Sequence, residues 1–357
     1  MVAVRHTETD AAIRVEAVSR ILARAAVTAL RAPSIWNTQP WRWRIEHDVA
    51  VLRADRRRQL DPIDPEGRLL TVSCGAALHH ACVALAAEGA AVVVDRLPRD
   101  DDPDLLATLR YAGRLHPSST AQLLRHAIHA RRTDRRPFDV RPVPEHIADR
   151  LRAAARHAGA DMHIVRSRDL TAVAVAAGHA AAAERADPAY RAELARWTGA
   201  RLAGDGVPQD TTAAVGARPV PIRDFTGVEE GPSIYSGAEL VDRAASYGVI
   251  VTDVDEPAAW LIAGEALSAV LLTATAERLS TSAMSDLVEV RSARELLRRM
   301  LGDVAHPVIG VRIGVPGPGA LPPHSPRRPA AETVEVVGEL MVDLPPAWWT
   351  GGAGRAR

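Results

Sequence analysis

Two helical segments without a polar face constrain the fold of this chain more than any other feature. The first runs from Leu70 to Glu88 and the second from Trp260 to Arg278. A helix that is apolar all round must be covered by other elements, so both segments are predicted to lie in a core. They also resemble each other in sequence from Gly75 and from Gly264 onward, and each precedes a strand-like run. We therefore predict an internal repeat.

A second, looser correspondence supports this repeat. Twice in the chain a helix is followed by a strand: Ala12–Arg31 with Trp41–Glu46, and Pro144–Ala158 with Asp161–Val165. The periodicity of the apolar residues distinguishes the helices from the strands. Between the two pairs, Asp104–Tyr111 is predicted to form a short helix. With 357 residues, the chain is long enough for one large domain or two ordinary ones.

The turn between the first helix and the first strand, Ala32–Trp41, concentrates polar side chains between two prolines. Pro33 and Pro40 fix φ on both sides, so the turn has a stiff frame. Its amides and hydroxyls both donate and accept hydrogen bonds, as the edge of a heteroaromatic ring requires. By composition alone, an ordinary polar turn that caps a helix is the more common explanation. The polar residues of the turn are Ser34, Asn37, Thr38 and Gln39.

A second polar segment, Arg131–Phe138, contains four arginines and a threonine hydroxyl. Taken alone, such a charge run is either a solvated face or an anion clamp. One guanidinium group can donate two parallel hydrogen bonds to the oxygens of a phosphate. All 44 basic residues of the chain are arginine, so an anion site must use arginine or backbone amides. The candidate clamp residues are Arg131, Arg132, Thr133 and Arg135.

These segments resemble those of the nitroreductase superfamily. The order Ala-Pro-Ser-x-x-Asn-x-Gln-Pro-Trp at 32–41 is similar to the turn that contacts the flavin in these proteins. Arg-Arg-Thr-x-Arg at 131–135 is similar to the segment that grips the FMN phosphate, and both apolar helices resemble the central helix of a nitroreductase subunit. The resemblance implies an α+β, nitroreductase-like fold. Two tandem nitroreductase-like halves, 1–125 and 126–357, would form a pseudo-dimer within one chain.

Nitroreductases are usually dimers that build each FMN site across the subunit interface. The first half of this chain keeps the turn and the second half keeps the clamp, so the resemblance implies one composite FMN site in a monomeric protein. It also implies that a later segment lies along the flavin and that a C-terminal arginine lies near the phosphate. The implied cofactor-binding residues are Ser34, Asn37, Thr38, Gln39, Arg131, Arg132, Thr133, Arg135, Ser282, Ala283, Met284, Ser285, and Arg327 or Arg328.

A further motif narrows the resemblance. Asp64–Arg68 leads into Ser73–Leu78 in a way that resembles the Acg family of actinobacteria, nitroreductase-like proteins of which several are tied to dormancy. This implies an FMN-dependent oxidoreductase with NAD(P)H as donor and a small aromatic nitro or quinone-type acceptor. A Gly/Pro/Thr-rich insertion at about 198–232 is predicted to be a lid. Because a closed lid excludes a hydride donor, a non-catalytic FMN storage or sequestration protein remains the alternative.

The sequence gives little support to other kinds of chemistry. No Cys–His or Ser–His–Asp set can be argued, so no catalytic residue is assigned, and the spacing of Cys74 and Cys82 to nearby histidines argues against zinc. A formal net charge of zero gives no field that would attract nucleic acid or an anionic membrane. The polar segment Met1–Asp10 has no apolar signal core. We therefore expect a cytoplasmic protein.

Overall fold

Two sheets and two central helices organise the chain. The computed structural model describes residues 2–198, 204–212, 218–225 and 242–337. The strands in these ranges are β1 (Trp41–Glu46), β2 (Val49–Ala54), β3 (Ala90–Arg96), β4 (Leu105–Arg114), β5 (Asp161–Ile164), β6 (Ser246–Thr252), β7 (Ser280–Met284), β8 (His306–Gly314) and β9 (Val334–Val336). The α-helices are α1 (Val2–Ala29), α2 (Arg68–Ala87), α3 (Ser119–Ala130), α4 (Glu145–His157), α5 (Leu170–Ala186), α6 (Pro188–Trp197), α7 (Pro257–Ala276), α8 (Asp286–Glu289), α9 (Arg291–Met300) and α10 (Ala330–Thr333).

The first sheet has the strand order β3-β4-β2-β1-β9. β1 and β2 form an antiparallel hairpin in which Trp43 lies opposite Leu52. Buried and exposed residues alternate along β1, as the sequence predicts for a half-buried strand. The last described strand, β9, pairs in parallel with β1. The C-terminal part of the chain therefore completes the sheet that begins near the N-terminus.

The second sheet has the order β5-β6-β8-β7 and is antiparallel throughout. Its two middle strands, β6 and β8, are buried along nearly their whole length. Residues of α4 and α7 pack with this sheet in one core, while α1 and α2 pack with the first sheet in another. Each sheet thus has its own core. The division of the chain at residue 125 stays a prediction.

The two central helices, α2 and α7, cross at a pair of glycines. A Cβ on Gly75 would lie 2.0 Å from the Leu261 carbonyl oxygen, and a Cβ on Gly264 would lie 2.0 Å from the Val72 carbonyl oxygen. Two backbones can approach this closely only where side chains are missing. By length and composition both helices could cross a membrane. However, the most apolar 18-residue stretch is 83% buried inside the protein in α2 and 78% buried in α7. They are core helices, as predicted.

One predicted element is wrong. Asp104–Tyr111 is not a short helix, because Leu105–Arg114 forms β4, which pairs with both β2 and β3. The run Leu105–Leu109 lacks strict alternation, and a short apolar run does not distinguish a buried strand from a helix. Here Leu105–Arg114 is a strand because it pairs with a neighbouring strand along each of its edges. The first helix was predicted to begin at Ala12, but α1 begins ten residues earlier, at Val2. The other helices and strands named from the sequence lie within a few residues of their observed ranges.

The helix crossing leads to a stability prediction. Gly264→Ala should lower the free energy of unfolding by about 1–3 kcal/mol, because the new methyl group overlaps the Val72 carbonyl and pushes α2 away from α7. Gly178→Ala is the matched control, since Gly178 is exposed on α5 and a Cβ there meets nothing within 4 Å. The control should be neutral or raise stability by up to about 1 kcal/mol. Urea unfolding of both variants checks this, and equal effects would contradict it.

Candidate functional site

A cleft that encloses a volume of about 80 Å³ lies between the turn before β1 and the second sheet. The start of α2 also lines it, as do the polar segment before α4 and residue Phe225. A smaller pocket of about 30 Å³ adjoins it and shares four of its residues. Residues far apart in sequence therefore meet here, including Ser34, Trp36, Thr133, Arg135, Ala283 and Ser285.

The turn has an unusual backbone. Trp36, Asn37 and Gln39 all have positive φ, at 44°, 56° and 51°, a region that non-glycine residues enter at some energetic cost. Two hydroxyls hold this conformation: the Ser34 hydroxyl accepts from the Gln39 amide nitrogen at 2.9 Å, and the Ser73 hydroxyl accepts from the Ile35 amide nitrogen at 3.0 Å. Ser73 lies on α2, so the turn is fixed to a core helix.

The Asn37 side chain is hydrogen-bonded to the protein and does not line the cleft. Its amide nitrogen donates to the carbonyl oxygens of Gly206, at 3.0 Å, and Pro326, at 3.1 Å. Its oxygen accepts from the Arg327 guanidinium at 2.8 Å. Asn37 thus joins the turn to the 204–212 segment and to the C-terminal segment. The resemblance to nitroreductases had implied a contact between Asn37 and FMN.

Gln39 has the same position between these segments. Its side-chain nitrogen donates to the Gly204 carbonyl oxygen at 2.7 Å, and its oxygen accepts from the Arg328 amide nitrogen at 2.9 Å. Thr38 between them is fully buried, and its carbonyl oxygen accepts from Arg58. These three residues do not line the cleft, and their flavin contacts stay a prediction. The role that the geometry supports is to fasten two distant segments to the turn.

Arg131 is the most informative residue of the predicted clamp. Its exposure is 7%, and in the described part of the chain it has no hydrogen-bond or carboxylate partner. Burial lowers the pKa of its guanidinium to about 10. A buried charge without a partner is costly, so this arginine is poorly explained by folding alone.

Other cationic groups surround Arg131. Burial, together with the charges of Arg131 and Arg31, lowers the pKa of Arg327 to about 9. Partial burial and the same group of arginines, first among them Arg132, lower the pKa of His324 to about 4. Arg327 donates to carbonyl oxygens and to the Asn37 amide oxygen, which carry no formal charge. We call Arg31, Arg131, Arg132 and Arg327 the cationic cluster, an arrangement suited to an anion, with His324 beside it as a neutral imidazole.

The residues of the predicted clamp do not all lie in the same place. Thr133 and Arg135 line the cleft, and a bridge between Thr133 and Thr281 places the clamp beside β7. The Arg135 guanidinium lies 4.6 Å from the centre of the Phe225 ring. Burial and the charge of Arg223 lower the pKa of Arg135 to about 10. Arg135 therefore belongs to the cleft, while Arg131 belongs to the cationic cluster.

The other predicted site residues also lie in different places. Ala283 and Ser285 line the cleft, and Ser282 and Met284 line the adjoining pocket. Of the two C-terminal arginines, Arg327 joins the cationic cluster. Arg328 instead contacts the Gln39 carbonyl oxygen at 3.3 Å and the Glu332 carboxylate at 3.4 Å.

Several residues of the site were not found from the sequence. Phe225 and Arg223 come from the predicted lid, and Trp36 occupies a turn position that carried no assignment. Arg31 belongs to the cationic cluster, and the neutral His324 lies beside it. A lone arginine or phenylalanine in an irregular segment carries no spacing pattern, so sequence reasoning had no signal for them.

Comparison with known proteins identifies the family of this chain. No protein-family model matches the chain. A Mycobacterium tuberculosis H37Rv protein named "Putative NAD(P)H nitroreductase acg" is 33% identical over 326 residues, covering 88% of this chain and 96% of the relative. The chain belongs to the Acg-like nitroreductase family. Another protein of that strain, also named as an NAD(P)H nitroreductase, is 37% identical over 316 residues, covering 88% of this chain and 90% of its own length.

Solved structures similar to this Acg-like nitroreductase are more distant. A nitroreductase with bound FMN from Bacteroides fragilis matches with 13% identity and a TM-score of 0.37, covering 57% of this chain and 94% of its own. A nitroreductase structure from Anabaena variabilis matches with 11% identity and a TM-score of 0.43, covering 75% and 69%. The identification rests on the mycobacterial relatives. Membership of this family, with the helices and sheets described above, confirms the expected α+β nitroreductase-like fold.

The unpaired arginine gives a prediction for the protein without ligand. Arg131→Met should raise the free energy of unfolding by about 1–3 kcal/mol, because an apolar side chain of similar length replaces a buried charge without a partner. Arg136→Met is the control: its guanidinium makes two hydrogen bonds, at 2.8 and 2.9 Å, to the buried Asp134 carboxylate, so its loss should destabilise. Urea unfolding without flavin or phosphate measures both. Destabilisation by Arg131→Met would show that this charge has a partner.

Proposed function

We propose that this chain binds one FMN between its two halves and uses it to reduce nitro or quinone-type acceptors with NAD(P)H. The observation that carries the proposal is Arg131, a buried guanidinium without a described partner inside the cationic cluster. Thr133, two residues further along, lines the cleft. The proposed phosphate site and the cleft are therefore adjacent in the chain. The mycobacterial relatives named as NAD(P)H nitroreductases support the same activity.

The residues present fit FMN by their chemistry. A phosphomonoester carries nearly two negative charges at pH 7, and the cationic cluster offers guanidinium donors without a described carboxylate that would compete. Arg131 and Arg327 would hold the phosphate, with Arg132 nearby. The ring would lie in the cleft beside Ser34 and Trp36 on one side, and Ala283 and Ser285 on the other. Thr38, Asn37 and Gln39 would support the turn from behind.

When bound, FMN supplies the hydride and electron transfer chemistry, so the chain needs no nucleophile or metal of its own. Its residues position the ring and shape the electrostatics. The Arg135 guanidinium, on the wall of the cleft, would stabilise negative charge that develops there during reduction. We further propose that the halves act as an intramolecular pseudo-dimer, with one site in each chain.

A second candidate function is FMN storage without turnover, and the position of Phe225 favours it. Phe225 lines the cleft, and Ile222 and Arg223 line the adjoining pocket. They belong to the predicted lid at about 198–232, of which 199–203, 213–217 and 226–232 lie outside the described residues. The bonds of Asn37 and Gln39 to Gly206 and Gly204 support the lid proposal. A lid held against the cleft would hinder NAD(P)H.

Flavin specificity tests the assignment of the arginines. Arg131→Met should weaken FMN binding about ten- to a hundredfold, because a charge-assisted bond to phosphate contributes about 1.5–3 kcal/mol. Riboflavin lacks the phosphate, so its affinity should stay nearly unchanged. Arg135→Met should instead weaken both flavins equally, since Arg135 lines the cleft. Fluorescence titration of the four combinations gives the ratios. Equal losses of FMN and riboflavin in Arg131→Met would place the phosphate elsewhere.

The lid separates the two functions. Phe225→Ala should speed FMN dissociation and, if storage is the function, also raise the rate of flavin reduction by NADPH, because one gate controls both. An enzyme whose lid helps to bind its substrate should lose activity in the same variant. Stopped-flow absorbance measures both rates, with the exposed Val304→Ala as control. If Phe225→Ala changes neither rate, the segment is a surface connector and not a lid.

A further inference from the structure

Three carboxylic acids lie buried beside the cleft. Glu184 comes from α5, and Asp286 and Glu289 come from α8. All three are largely buried, and the Glu289 side chain is only 2% exposed. The Arg223 guanidinium contacts two of them, at 3.0 Å from Glu184 and 2.7 Å from Glu289. We call Glu184, Asp286 and Glu289 the acidic trio.

Among the described residues, Arg223 is the cation that forms ion pairs with the acidic trio. One positive charge therefore faces three carboxyl groups there. It lies 5.3 Å from the centre of the Trp36 ring and 5.8 Å from that of Tyr190, so its other neighbours include aromatic faces. The Tyr190 hydroxyl lies 3.4 Å from Glu289 Oε2. The positive charge of Arg135, which lines the cleft, repels the positive charge of Arg223.

Carboxylates that share a buried site cannot all ionise near neutral pH. Burial raises the pKa of Asp286 to about 6. Burial also raises the pKa of Glu289, and the charges of Glu184 and Asp286 raise it further, although Arg223 opposes the shift. In the part of the chain that the structure describes, Glu289 Oε1 has no hydrogen-bond partner. Such an oxygen is expected of a group that is protonated for part of the time.

Ser285 connects the trio to the cleft. It is the residue before α8, and its hydroxyl accepts from the Arg223 guanidinium at 3.5 Å, the same guanidinium that Glu289 contacts at 2.7 Å. It also lines the cleft. We propose that the acidic trio holds one proton, and that Glu289 passes it to the reaction in the cleft through the Ser285 hydroxyl. This inference rests on the proposed function.

The proton balance of the proposed reaction requires such a donor. A quinone, NAD(P)H and one proton give a hydroquinone and NAD(P)⁺. The nicotinamide supplies the two electrons with one hydrogen nucleus, and the second hydrogen nucleus must come as a proton. The Ser285 O–H would give its proton to the acceptor oxygen while Glu289 re-protonates Ser285. Glu289 is left as a carboxylate, which solvent water then re-protonates.

Infrared spectroscopy tests the proton store without flavin. The protein without FMN should show a protonated-carboxyl C=O band that disappears with a midpoint at or above pH 6, because the pKa values of Asp286 and Glu289 are raised. Glu289→Gln should lower the amplitude of this step, since the amide still accepts from Arg223 but carries no acidic proton. The part that remains belongs to other buried carboxyl groups such as Asp286 and Asp64, because burial raises the pKa of each to about 6. Glu265→Gln is the matched control: Glu265 is buried and paired with Arg96 at 2.6 Å, on α7. It should leave the step in place.

Kinetics test the delivery of the proton. Quinone reduction by the wild-type protein should slow as pH rises through the trio's midpoint, because the protonated form is lost. Glu289→Gln should be about ten- to a hundredfold slower at pH 6 and should lose this pH dependence. Ser285→Ala should show the same loss of rate while keeping the infrared step. Glu265→Gln should keep the wild-type profile.

The outcomes separate this inference from the proposed function. A protein that shows the infrared step but binds no FMN would contradict the proposed function alone. A protein that binds FMN but lacks the step, or whose step keeps its full amplitude in Glu289→Gln, would overturn the proton store. A Ser285→Ala variant with the rate and pH profile of the wild type would overturn delivery through that hydroxyl.

Discussion

The close crossing of α2 and α7 is the contact on which the rest of the structure depends. Gly75 and Gly264 let the backbones meet, and the two cores are joined there. The same helices carry side chains into the cleft, Ser73 from α2 and Leu267 from α7. Because Ser73 also holds the turn through the Ile35 amide, the packing of the two helices sets the distance between the turn and β7. Core packing and site geometry therefore depend on one pair of glycines.

The buried charges of the site destabilise the folded chain, and the proposed reaction uses them. Arg131 lies buried without a described partner in the cationic cluster, and the acidic trio holds three carboxyl groups against one guanidinium. Each arrangement is unfavourable for the isolated chain, and each has a use in the proposed reaction, as a phosphate site and as a proton store. Functional sites commonly contain such unfavourable groups, which the surrounding core keeps in place.

Much of the fold could be predicted from the sequence because the signals were local. The apolar helices, the strand β1 and the turn all follow from periodicity and from proline positions. The prediction for β4 failed because a short apolar run is ambiguous between strand and helix. In the site, the motif resemblance brought Ser34, Thr133, Arg135 and Ser285 to one cleft. It could not show that Asn37 bonds Gly206 and Pro326, because those partners lie more than a hundred residues away and carry no pattern.

A crystal structure of the protein with FMN is the most direct test of a composite site between the two halves. We expect one flavin in each chain, with its phosphate within hydrogen-bonding distance of Arg131 and its ring between the turn and β7. A phosphate bound away from Arg131, or a second flavin in the same chain, would contradict a single composite site.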